Sequence, residues 1–136
     1  MEVVFAFLAK SAEMSVDGNI CAVGAGASAV GFPTVPAVVP AISVAASLLF
    51  APMECGRRHR VLVRITNPDG SDAGIEPFVD FNPALIESMG DYGTRLQMVI
   101  NLFGLPIPQY GVYRVSIQSE DQQILATVEL RAIVVP

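Results

Sequence analysis

No charged side chain occurs between Asp17 and Glu54, and this run constrains the fold more than any other feature. A membrane-spanning helix needs about 20 consecutive apolar residues with an unbroken backbone ladder. Pro33, Pro36 and Pro40 lie inside the run, and each removes an N–H donor and pushes its ring against the preceding turn. Residues 42–50 are then too few to cross a hydrocarbon core of about 30 Å. The run reads instead as a strand over residues 19–27, an extended connector over 30–40, and a second strand over 41–50. In that second strand Ile42, Val44, Ala46, Leu48 and Phe50 share one face, and Ser43, Ala45, Ser47 and Leu49 make the other. The second face is small and uncharged, so it invites close packing by another part of this chain or by another subunit.

Composition sharpens the point. Hydrophobic residues make up 52% of the 136 and charged ones 15%, where about 25% charged is usual. Apolar area must be hidden within the chain or against a partner. The net charge of −5 disfavours nucleic acid, which binds by phosphate neutralisation. The start, Met1-Glu2-Val3-Val4-Phe5, has no basic segment before its apolar stretch and reads as a strand, with both faces of residues 2–9 covered. Cys21 and Cys55 match no metal-ligand or redox spacing and read as two small buried thiols of a reducing, cytoplasmic compartment.

Alternation of period two marks further strands. Leu96, Met98, Ile100 and Leu102 oppose Arg95, Gln97 and Asn101; Tyr113, Val115 and Ile117 oppose Arg114, Ser116 and Gln118. Ile124, Ala126, Val128, Leu130, Ala132 and Val134 oppose Thr127, Glu129 and Arg131, and the polar turn 119–122 makes these last two strands a hairpin. His59, Val61, Val63 and Ile65 alternate up to Asn67-Pro68-Asp69-Gly70, a turn in which Pro68 presets φ and Asn67 closes an Asx bond. A strand over 75–81 follows, then a loop with at most one short helical turn near 83–89. The expectation is one all-β domain over residues 1–136, a Greek-key antiparallel β-sandwich of about eight strands. Gly111-Val112-Tyr113 is similar to the tyrosine corner of immunoglobulin-like folds.

Candidate chemistry is sparse. His59 is the only histidine, and it reads as a strand-start residue bonded to a carbonyl or carboxylate. The segment Gly24-Ala25-Gly26-Ala27-Ser28 lacks the remaining residues of a phosphate loop and reads as a tight bend. No Gly-x-Ser-x-Gly elbow supports a serine nucleophile. Asp69, Asp72, Glu76 and Asp80 match no calcium-loop spacing and read as a solvated acidic turn. No catalytic residue, cofactor or metal is assigned. Of the seven arginines, Arg64, Arg95, Arg114 and Arg131 would line one polar face if their strands shared a sheet. With Ser43, Ala45, Ser47 and Leu49 they form the candidate interface.

Phe5 to Glu13, Asp17-Gly18-Asn19, Gly24-Ala25-Gly26, Glu54 to His59, Asn101 to Pro106 and Gly111-Val112-Tyr113 together resemble a family of small uncharacterised bacterial proteins, a domain of unknown function. The resemblance implies an intracellular bacterial β-sandwich, immunoglobulin-like or C2-like, and carries over no active site. The expected function is non-enzymatic interaction with a protein partner, foremost a second copy of the chain. The alternative is a small-ligand or membrane-surface module using residues 30–40 as a lip.

Overall fold

The computed structural model describes residues 1–86 and 92–136. Ten strands occur among them: β1 (Glu2–Ala9), β2 (Ser11–Met14), β3 (Ile20–Val23), β4 (Ala29–Phe32), β5 (Ala37–Phe50), β6 (His59–Thr66), β7 (Phe78–Phe81), β8 (Thr94–Ile107), β9 (Gly111–Ser119) and β10 (Ile124–Val134). They form three sheets, β1-β5-β8, β4-β10-β9-β6-β7 and the β2–β3 hairpin. The chain is therefore all-β, with more strands than the eight expected. It is also not wholly antiparallel, because β4 runs parallel to β10.

One apolar core lies between the two larger sheets. Val44, Leu48, Phe50, Met98 and Ile100 come from the first, and Val61, Val63, Ile65, Tyr113, Ile117 and Leu130 from the second. The alternation in β6, β8 and β9 put the expected residues inside, as a half-buried strand requires. In β10 the alternation holds only in the middle. A bulge between Ile124 and Ala126 shifts its start, and Ile124 and Val134 are exposed.

The charge-free run contains more structure than its reading suggested. Residues 19–27 hold only the short β3, which pairs with the unanticipated β2 through the Asp17–Gly18 turn. Gly24 and Gly26 take positive φ, making the tight bend that follows. Within the connector, β4 docks on β10, and β5 begins at Ala37, before Pro40. The strand β1 is not covered on both faces: Val4 and Phe5 are exposed. It is an edge strand with a bulge between Val3 and Phe5.

Three smaller expectations are corrected. Cys21 is exposed and only Cys55 is partly buried. A short helical turn lies at Pro52–Glu54; of the expected 83–89 turn, residues 83–86 are not helical and 87–89 lie outside the described residues. In the 67–70 turn Gly70 N–H donates to the Asn67 carbonyl at 2.9 Å, but the Asx bond belongs to Asp69, whose Oδ1 accepts from Ser71 N–H at 3.0 Å. No helix among the described residues is long and apolar enough to cross a membrane.

Candidate interaction surface

The outer face of the three-stranded sheet follows from its registers, because directly paired residues project to the same side. Phe5, Phe7 and Ala9 on β1 pair with Ser47, Ala45 and Ser43 on β5. Those pair in turn with Gln97, Val99 and Asn101 on β8. Ser43, Ala45 and Ser47 are 2%, 0% and 0% exposed, and the β2–β3 hairpin packs against β5 and β8. Part of their cover comes from the flanking strands. Arg95 Nε donates to Ser47 Oγ at 2.6 Å, its guanidinium sits 5.4 Å from the Phe5 ring centre, and Ser43 Oγ bonds the Asn101 side chain. Small residues on the central strand form a floor, and the longer neighbours lean across it.

This arrangement makes a prediction. Ala45→Leu inserts a branched side chain between Phe7 and Val99 and should cost about 1–3 kcal/mol by overpacking. Urea denaturation would measure it. An unchanged midpoint would mean the floor has room to spare.

Of the eight candidate interface residues, Ser43, Ala45 and Ser47 thus lie beneath the surface, and Leu49 is half-buried on the same sheet. Arg95 is exposed beside them. Arg64, Arg114 and Arg131 sit on the other large sheet, on its outer face. There Arg64 faces Glu76 at 3.1 Å and Asp72 at 3.3 Å, and Arg114 is paired with Glu129 across β9 and β10. The four arginines therefore do not share one face. What the sequence reading missed is the apolar rim: Phe5, Val38 and Phe103 are 37%, 52% and 77% exposed. The spacing of Phe5 and Phe7 carried a signal, since residues two apart in a strand share a side.

A second feature is an open pocket of about 590 Å³ lined by Arg57, Arg58, His59, Arg60, Glu54, Glu120 and Asp121 among others. Arg60 is committed: its Nε donates to Asp80 at 2.8 Å and its Nη2 at 3.1 Å, and its guanidinium lies 4.0 Å over the Phe78 ring. The Arg60 hydrogen bonds hold the Asp80 carboxyl below the usual carboxylate range, against a smaller desolvation effect. The His59 ring nitrogen Nε2 lies 2.6 Å from the Glu54 carbonyl, and its ring packs 5.2 Å from Phe50. Burial pushes the Glu54 carboxyl up, but hydrogen bonds from the Met1 α-amino group and the Ala51 N–H outweigh it and leave the value lowered.

Asp69, Asp72, Glu76 and Asp80 are spent on Ser71, Arg64, Arg64 and Arg60 respectively. Among the described residues no three His, Cys, Asp or Glu side chains gather as a metal site would need. Compared with known proteins, the chain matches a family described as a family of unknown function (DUF6941) over residues 4–132. No curated protein matches it.

Proposed function

We propose that this chain, which belongs to the DUF6941 family of unknown function, is a protein-interaction domain that assembles with further copies of itself through the three-stranded sheet. The observation that carries this reading is the apolar rim of that sheet, Phe5, Val38 and Phe103, beside strands whose edges are free. Exposed apolar residues on a sheet with an unpaired strand edge favour association. Sedimentation velocity over a micromolar concentration series should give a mass above that of one chain. A monomer throughout would overturn the proposal.

The same proposal extends to the finer setting. Two unpaired cysteines support a reducing, cytoplasmic compartment, and the family resemblance supports a bacterial one. The core shared by two sheets, and the Tyr113 phenol bonded back to Gln109, support an immunoglobulin-like sandwich. A second reading, binding of an anionic membrane surface, is favoured by Arg57 and Arg58 at the open pocket. On that reading the chain co-sediments with anionic vesicles, and Arg57→Ala/Arg58→Ala abolishes it. Equal pelleting of both proteins, or of neither, removes this alternative.

A further inference from the structure

The five-stranded sheet ends in β4 and β7, each four residues long. Short edges of this kind offer little to a passing strand. On the three-stranded sheet, the β1 edge is interrupted by its bulge at Val4. The β8 edge differs from all of these. It runs for 14 residues and pairs with β5 alone. Its register is regular from Thr94 to Phe103, and no charge follows Arg95 until Arg114. Only at Gly104, with φ of +69° opposite Pro40, does the alternation break, after which Leu105 and Ile107 turn inward. From Leu96 to Phe103 the usual protections of an edge, charge and bulge, are missing.

Resting on the self-assembly reading above, we infer that the occupant of this edge is β8 of a second copy, paired antiparallel about a two-fold axis at Val99. Pairing that keeps inward and outward faces matched must add an even number of steps, and centring on Val99 is the register the side chains select. It sets Gln97 across from the partner's Asn101, Arg95 across from the partner's Phe103, and Val99 across from itself. On the inner face, Leu96 meets the partner's Leu102, and Met98 the partner's Ile100. Shifting the centre by one residue either way puts Gln97 opposite Phe103 or Val99 instead.

Two observations favour the amide pairing. Gln97 Oε1 is buried and accepts no hydrogen bond, and such an orphan acceptor is uncommon. Asn101 uses its Oδ1 for the Ser43 hydroxyl, which leaves its NH₂ group free to donate. The terminal torsion of glutamine is soft, so the Gln97 amide can turn its oxygen to a donor across the edge. Charge agrees as well. The two Arg95 side chains fall about 27 Å apart along the strands, far beyond a screening length of about 8 Å, and each meets an aromatic ring that attracts it.

Cysteine cross-linking tests the register in a Cys21→Ser/Cys55→Ser background. Val99→Cys should form a covalent dimer on mild oxidation. Gln97→Cys and Asn101→Cys should cross-link efficiently only when mixed, and Glu129→Cys, on the other sheet, not at all. Independently, Val99→Lys places like charges face to face across the axis and should weaken dimerisation roughly 100-fold, with an unchanged far-UV circular dichroism spectrum. If the parent chain dimerises while Val99→Cys stays monomeric under oxidation, β8 pairing is wrong and self-assembly stands. If the parent chain is a monomer at every concentration, both are wrong.

Discussion

Gly93→Ala is expected to destabilise the chain by more than about 3 kcal/mol, lowering its melting temperature by about 10 °C or more. Gly93 has φ of +75°, and a Cβ there would lie 2.0 Å from the Phe50 carbonyl oxygen and 3.0 Å from its carbonyl carbon. Both effects point the same way. A left-handed conformation costs a side-chain-bearing residue of order 1–3 kcal/mol, and a clash with backbone cannot be relieved by a rotamer change. The position also matters for assembly. Thr94 opens β8 and pairs with Phe50, so displacing Gly93 displaces the first rung of the ladder that fixes the β8 edge. Circular dichroism melts of the parent and Gly93→Ala chains would measure the loss. Equal melting temperatures would show that the backbone approach at Phe50 is looser than 2.0 Å.

Such a contact lies beyond sequence reading, because nothing in a lone Tyr-Gly-Thr names Phe50 as its neighbour. Local alternation was legible where the outward face of a strand carries charged or long polar residues: β6, β8 and β9 placed their inward residues as expected. It failed where that premise fails. The strand β5 is buried on both faces at Ser43 to Leu48, so its alternation of small and large residues could not say what covers the small ones. Part of the answer depended on Arg95, Phe5 and Asn101 reaching across from strands more than 40 residues distant in sequence. The edge strand β1 failed in the opposite way: its unbroken apolar sequence suggested cover, and exposure at Val4 and Phe5 came from its place at the sheet margin. Short elements such as β2 and β4 carry too few residues to show any period. The arginines illustrate the same limit, since which sheet receives each strand is a matter of topology and not of spacing.

The contribution of Tyr113 can be divided by two substitutions, and the larger rivals the loss at Gly93. Tyr113 is 0% exposed. Its phenol donates to the Gln109 carbonyl at 2.7 Å and accepts from the Gln109 N–H at 3.3 Å, so it closes the loop between β8 and β9. Tyr113→Phe keeps the ring and strips both partners of their bonds; it should cost about 1–3 kcal/mol. Tyr113→Ala also empties a core position and should cost about 3–5 kcal/mol. Burial raises the phenol's pKa above its ordinary value, outweighing the opposing Gln109 hydrogen bond. The sign of the pH effect follows. Stability from the buried neutral phenol is complete below the unfolded value of about 10 and is lost as pH rises through the elevated folded value. Urea midpoints of parent and Tyr113→Phe chains across an alkaline series should therefore converge, since the variant has no phenol to ionise at this position. A gap that stayed constant as pH rose would show that the Tyr113 phenol holds its proton equally in the folded and unfolded chains, and that burial does not raise its pKa.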